Sequence, residues 1–444
     1  MSSPSRVRAA LVDHSLPIPR PGSDVSERSS AGSQRQSDGT GEVDSAPYPP
    51  ALADAEIVGL GEATHGTREC FRHKARLIQW LVADCGFRTV GFEAGAAAAT
   101  ALDAFVRADP VDDAPDSPES SLAELDMWQW QTESVRDLLT WLRRFNRGRP
   151  AEEQVRVHGV DLSAPSTPAA PLGSYFERVD PDTTGSDAFR AVSNTTVPDD
   201  EAERERTLDD VAAAAATLTD RVEANREAYQ RRSSPEAWRR ARHFCRVIEQ
   251  ATEWARVRHQ QPGPHPEGMA ARDRFMAENA LWALERDSGS GVALWAHDSH
   301  VGRGTFDDGT VWADATAMGE RLSAELGDGY RPVGVDFGQG SFRAVGAESG
   351  DLGTFSVGEP AERSATAAFA GVDDAPFLLD LDAAATDERL SDWLGEPRRT
   401  RCVGSVFDPT ADEGVGYART DLPATFDYLL FLPESTPTRA TGEP

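Results

Sequence analysis

The chain has 444 residues and carries 74 Asp and Glu against 45 Lys and Arg, a net charge of −29. Such a surface repels phosphate backbones and anionic lipids, which excludes nucleic acid and membrane surfaces as partners. There is no apolar run of membrane-spanning length and no hydrophobic signal core at the N-terminus, so a soluble cytoplasmic protein is expected. Lys74 is its one lysine, and few lysines with many carboxylates read as adaptation to molar salt, where the Debye length falls to about 3 Å. The four cysteines, Cys70, Cys85, Cys245 and Cys402, contain no C-x-x-C pair, so neither a disulfide framework nor a thiolate metal site is expected.

In chain order, residues 1–50 read as a disordered or weakly structured segment, with a short helix signal near Arg6–Val12 and a Ser-, Gly- and Pro-rich stretch behind it. Ile57–Leu60 is a short buried strand that runs into the turn Gly61-Glu62-Ala63-Thr64-His65-Gly66. Arg68–Asp84 has apolar residues at helical spacing, and Gly86 ends it. The strand Thr89–Phe92 runs into Glu93, and helices follow near Ala96–Val106 and Leu122–Phe145 around an acidic loop at 110–118. Val155–Val160 runs into Asp161. Residues 165–289 contain polar, Arg- and Glu-rich helical stretches and no convincing strand, which reads as an α-helical insertion or cap. The α/β pattern then resumes with Val292–Ala296 running into His297, a helix near Ala315–Leu326, and Pro332–Val335 running into Asp336. Weaker strand signals follow at Phe377–Leu381 and Tyr428–Phe431, and residues 434–444 read as a flexible tail. The fold class is therefore α/β, a mostly parallel sheet flanked by helices, with an α/β core at 51–164 and 290–433 interrupted by the helical insertion.

Five apolar runs end on a carboxylate or an imidazole. Charge beside a packed strand is costly unless paired, and the carboxyl ends of strands are where open α/β sheets hold their chemistry. Glu62 and His65 are three residues apart, a spacing that lets a carboxylate orient a general-base histidine. Glu93 stands at the next strand end, and Ala296-His297-Asp298-Ser299-His300 adds two imidazoles at another. Any one of these histidines is satisfied as well by a backbone carbonyl; the set converging on one cleft is the functional signal. A G-x-S-x-G elbow and a phosphate-binding G-x-x-x-x-G-K-[ST] loop are both missing, which argues against a serine hydrolase of the usual α/β kind and against a P-loop enzyme. Glu62, His65, Glu93 and His297 also offer donors suited to a divalent metal of the zinc or manganese kind, and no other cofactor is indicated. A metal-dependent hydrolase, a carbohydrate-modifying enzyme, or a non-catalytic ligand- or metal-binding protein using the same cleft therefore stand as alternatives.

The order of these residues resembles the erythromycin esterase family and its succinoglycan-biosynthesis relatives from about residue 52 to 340. The resemblance rests on Gly61-Glu62-Ala63-Thr64-His65-Gly66, Glu69, Lys74, Gly86-Phe87, Glu93, Trp130, Glu133, Asn146, Gly159-Val160-Asp161, Arg272-Asp273, Met276, Asn279 and Ala296–His300. It implies a small-molecule ester or lactone as substrate, hydrolysed without a serine nucleophile. It further implies His65 as the water-activating base, with Glu62, Glu93, His297 and His300 in the active site. Lys74, Trp130, Asp161 and Arg272 are then expected around the substrate, and His297, His300 or Arg272 to meet the oxyanion. Asp298 stands where the family usually has asparagine.

Overall fold

The computed structural model describes residues 4–19, 48–107, 115–125, 127–260, 263–286, 290–304, 306–307, 311–373, 376–410 and 416–442. Its strands are β1 (Ser15–Pro17), β2 (Ile57–Leu60), β3 (Thr89–Gly95), β4 (Arg156–Asp161), β5 (Val292–Trp295), β6 (Tyr330–Gly346), β7 (Leu352–Val357), β8 (Phe377–Asp380), β9 (Arg398–Arg401), β10 (Val406–Phe407), β11 (Tyr417–Thr420) and β12 (Tyr428–Ser435). The main sheet runs β1-β8-β12-β6-β2-β5-β3-β4, with β7 and β10 also paired to β6, while β9 and β11 form a separate antiparallel pair. Every neighbour from β12 to β4 along this path is parallel; β8 and β1 close the other edge antiparallel.

Alternation along the strands divides the core in two. Val58 and Trp295 face a layer that holds Phe71, Leu81 and Leu138, whereas Ile57 and Leu294 face Met276, Met318 and Leu322. The central strands β2 and β5 therefore bury both faces, which is why their apolar runs read as continuous rather than alternating. The helix Arg68–Ala83 follows the turn after β2 and packs its apolar stripe on the first layer. The expected helix Leu122–Phe145 is two, Pro118–Ala123 and Glu133–Asn146, and the break between them carries Trp130 into the core at 0% exposure.

Between β4 and β5, the described residues form helices Ala169–Val179, Asp187–Ser193, Glu201–Ala224, Arg226–Arg232, Pro235–Arg258 and Pro266–Arg286. Most share a core of their own around Phe176, Leu218, Phe244 and Ile248. The last belongs elsewhere: Met276, Ala277 and Ala280 of Pro266–Arg286 sit in the sheet's second layer beside Val160 and Leu294.

Both chain ends depart from the sequence expectation. Residues 4–13 form a helix whose Ala10 and Leu11 are fully buried, and β1 pairs with β8, so the weakly structured segment is ordered where it packs on the sheet. Most of the expected linker, at 20–47, and residues 110–114 of the expected acidic loop lie outside the described residues. The expected flexible tail is paired as far as it is described: β12 runs to Ser435, and Pro437 and Ala440 bridge Thr67 and Thr132. Low apolar content concealed this, because the pairing is made by backbone groups.

Candidate active site

The strand order β2-β5-β3-β4 places four carboxyl ends side by side, and Glu62, His65, Glu93, Asp161, His297 and His300 come from those ends, whereas Lys74, Trp130 and Arg272 come from helices and a loop packed against them. Glu62 and His65 follow β2, His297 follows β5, Glu93 lies within β3 near its end, and Asp161 ends β4. The fifth apolar run contributes backbone contacts but no charged group here. Asp336 lies inside β6, where it accepts the Phe337 and Arg401 backbone N–H groups and the Thr366 hydroxyl.

The turn after β2 is held from both sides. Gly61 N–H donates to Val333 O, and a Cβ on Gly61 would stand 1.9 Å from Asp298 Oδ1. A Cβ on Gly66 would stand 1.9 Å from Arg343 O, so neither position has room for a side chain. Glu62 is fully buried, and its Oε1 lies 2.6 Å from His65 Nδ1. Its Oε2 accepts Lys74 Nζ at 2.8 Å and Trp295 Nε1 at 2.7 Å. Burial alone would raise the Glu62 pKa, but Lys74 and His65 outweigh it and bring the pKa below the ordinary carboxylate value. An ionised Glu62 is acceptor only, so His65 Nδ1 carries a proton, and in the neutral ring the lone pair falls on Nε2.

Lys74 is 3% exposed, lies 4.6 Å from the Trp295 ring centroid, and also reaches Ala296 O at 3.3 Å. It is spent on Glu62, which corrects its assignment beside the substrate. Trp130 is corrected likewise: it is 0% exposed and donates Nε1 to Glu93 O at 3.3 Å, behind the cleft.

Glu93 ties the site together. Its Oε2 accepts the His297 backbone N–H at 2.9 Å, and its Oε1 meets Arg272 Nη2 at 3.0 Å and His300 Nε2 at 3.2 Å. Burial would raise its pKa, but His300, His65 and Arg272 lower it well below the usual value. Arg272 also holds Asp161 through two parallel bonds, Nε to Oδ1 at 2.9 Å and Nη2 to Oδ2 at 2.6 Å. Arg272 and Asp273, neighbours on the helix Pro266–Arg286, both reach His300: Asp273 Oδ1 lies 2.8 Å from its Nδ1 and Arg272 Nη1 3.0 Å from its Nε2. Burial would lower the His300 pKa, but Asp273 and Glu93 outweigh it and hold it up at about 10. Both His300 nitrogens thus reach carboxylates, as do Nε and Nη2 of Arg272, while Arg272 Nη1 lies against His300 Nε2.

His297 differs. Its Nδ1 accepts the Ser299 backbone N–H at 3.2 Å and lies 2.8 Å from the Ser299 Oγ. Burial, reinforced by the charge of a protonated His65, pushes its pKa down to about 3, so the ring is neutral with its proton on Nε2. That Nε2 is buried without a hydrogen-bond partner, and the His65 and His297 ring centroids are 5.1 Å apart. A neutral donor therefore stands beside an imidazole with a free lone pair.

Asp298 is fully enclosed, and burial holds its carboxyl well above the usual range. Its Oδ1 accepts the Val335 N–H at 3.2 Å, the bond that an asparagine oxygen would accept. Burial therefore opposes a negative charge on Asp298, which lessens the effect of the departure from asparagine beside His297.

Among the described residues, no three His, Cys, Asp or Glu side chains converge as a metal-holding group. Both Glu62 oxygens and both Glu93 oxygens are already bonded to nitrogen donors. The residues that sequence reasoning missed are Trp295, which fixes Glu62, and Ser299, which fixes the His297 tautomer. Asp273 was noted for the resemblance and left out of the site. Trp295 had a legible signal, an indole at the inner end of a strand leading to His297, but its partner lies 233 residues away.

A family model described as erythromycin esterase matches residues 82–435, a span that begins after the Gly61–Gly66 turn. An erythromycin esterase type II of Escherichia coli is 23% identical over 356 residues, covering 73% of this chain and 80% of that protein. A Bacillus cereus protein of solved structure superposes with a TM-score of 0.79 at 21% identity, covering 99% of this chain and 100% of the other. A succinoglycan biosynthesis protein gives 0.77 at 18% identity over 98% of both chains. A mutant erythromycin esterase in an open conformation gives 0.60 at 17% identity, over 89% of this chain and 94% of that one.

Proposed function

Because the chain belongs to the erythromycin esterase family, we propose that it is a hydrolase of ester bonds in which His65 activates water. The observation that carries this reading is the pairing of Glu62 with His65 Nδ1 at 2.6 Å, opposite the unpartnered His297 Nε2. His65 Nε2 takes a proton from water as the oxygen bonds to the ester carbonyl carbon. The carbonyl electron pair moves to oxygen, where His297 Nε2–H donates to the oxyanion. Ionised Glu62 stabilises the His65 imidazolium, while Lys74 and Trp295 keep Glu62 in place and charged. Collapse of the tetrahedral intermediate breaks the bond to the leaving oxygen, and that oxygen takes the proton back from His65. A carboxylic acid and an alcohol leave, or one ring-opened hydroxy acid if the substrate is a lactone.

In this reading Glu93, Arg272, Asp161, His300 and Asp273 are a scaffold. Glu93 aims His297 through its backbone N–H, and the other four hold Glu93. The substrate is a small molecule with an ester or lactone, and a macrolide is one member of that class. The test is mass spectrometry of a panel of macrolides, simple lactones and sugar esters incubated with the protein in molar KCl. A gain of one water with wild type and none with His65→Ala is expected, with the melting temperature of the variant little changed. Equal turnover by His65→Ala would remove the general-base assignment.

A further inference from the structure

Glu69 and Glu133 belong to the motif set, yet neither takes part in the chemistry above. Both lie in the first turn of a helix whose N-cap threonine, Thr67 or Thr132, makes no capping bond with its side chain. The free N–H groups of a helix start need acceptors. Here the C-terminal segment supplies them: Arg68 N–H donates to Thr436 O at 2.9 Å and Glu133 N–H to Arg439 O at 2.9 Å. Glu69 grips the same segment, accepting the Thr436 N–H at 2.6 Å and the Thr436 hydroxyl at 2.7 Å. Further along, Thr438 N–H donates to Gly66 O at 2.8 Å, and Thr441 N–H donates to Gln131 O at 3.0 Å.

The two helices tied in this way begin just after His65 and just after Trp130. Gly66 O receives Thr438 N–H on one side and Arg343 N–H, at 3.1 Å, on the other, so the peptide next to His65 is held between the tail and β6. We propose that Glu69 is a positioning residue: with residues 436–442 it forms a clasp that fixes the His65 turn against Glu62. The catalytic part of this inference rests on the hydrolase reading. A turn held to a fraction of an ångström matters because small misplacements of a reacting group are costly in rate.

The experiment uses the full chain as wild type, Glu69→Ala, Glu69→Gln and Thr436→Ala. Deuterium uptake of the peptide spanning residues 61–70 is followed alongside kcat, KM and melting temperature, on an ester that wild type hydrolyses. Glu69→Ala is expected to speed exchange in that peptide and to lower kcat by on the order of tenfold, with KM little changed. Glu69→Gln restores both, since its amide can accept the Thr436 N–H and donate to the hydroxyl. Thr436→Ala, which keeps the backbone bonds, falls between. Unchanged exchange in Glu69→Ala overturns the clasp, and faster exchange with unchanged kcat overturns its positioning role. Failure of Glu69→Gln to rescue would mean that the charge matters rather than the bonds, which also overturns it. If wild type hydrolyses nothing, the hydrolase reading has failed, and the exchange comparison alone still decides whether Glu69 holds the turn.

Discussion

Glu62 and Asp298 are both fully buried carboxyls, and their partners set them in opposite states. Glu62 faces two nitrogen donors besides His65, which favour its ionised form, while Asp298 faces only a backbone N–H and burial favours its protonated form. This yields a contrast between two substitutions. Lys74→Met leaves a buried charge short of its cation, and should cost about 3–5 kcal/mol of stability along with activity, read by denaturant unfolding. Asp298→Asn should keep activity and gain stability as pH rises. The sign follows from linkage: the folded pKa of Asp298 lies above its unfolded value, so the wild-type group opposes folding increasingly as pH climbs above the unfolded value. A melting temperature for Asp298→Asn that tracks wild type from acid to alkaline pH would show that Asp298 is ionised in the fold.

At the scale of elements, the turns after β2 and β5 carry the proposed chemistry, and the helix Pro266–Arg286 supplies the supports. That helix lies inside the stretch read as an insertion, yet it packs on the sheet and sends Arg272 and Asp273 into the site. β6 makes a separate contribution to pH response. Burial pushes the Asp336 carboxyl up to about 7, with Thr366 and two backbone N–H groups pulling the other way. The unfolded chain ionises near the ordinary aspartate value of 3.8, so this group removes stability as pH rises between the two values. Asp336→Asn should flatten the loss of melting temperature between mildly acidic and neutral pH; an unchanged slope would assign that slope to other groups. Its activity should persist, because Asp336 touches none of the residues around His65.

For the whole molecule the dominant quantity is the charge of −29. The Debye length is about 10 Å at 0.1 M salt and about 3 Å at 1 M, so exposed carboxylates repel one another across the surface only in dilute buffer. The melting temperature should therefore fall steeply as KCl is lowered from molar to about 0.1 M. Independence of salt would show that the acidic surface is unrelated to salt adaptation. No described helix is long and apolar enough to cross a membrane.

Strand ends were legible because a parallel sheet buried on both faces needs unbroken apolar runs, and a charge at the end of such a run stands out. Glu62, His65, Glu93, Asp161, His297 and His300 were all found in this way. Nothing local could say which four ends are neighbours: β5 enters between β2 and β3 after nearly 200 residues of intervening chain. Partnership followed from that topology. Lys74 and Trp295 meet on Glu62, Arg272 reaches Asp161 across 111 positions, and the tail returns to cap two helices near the site. Local pattern determines which residues are expensive to bury, since that depends on side chain and neighbours in sequence. What relieves that expense, and so which imidazole pairs with Glu62, which stays neutral and which is held between two carboxylates, depends on charges and N–H groups brought from distant strands, and only the tertiary structure decides it.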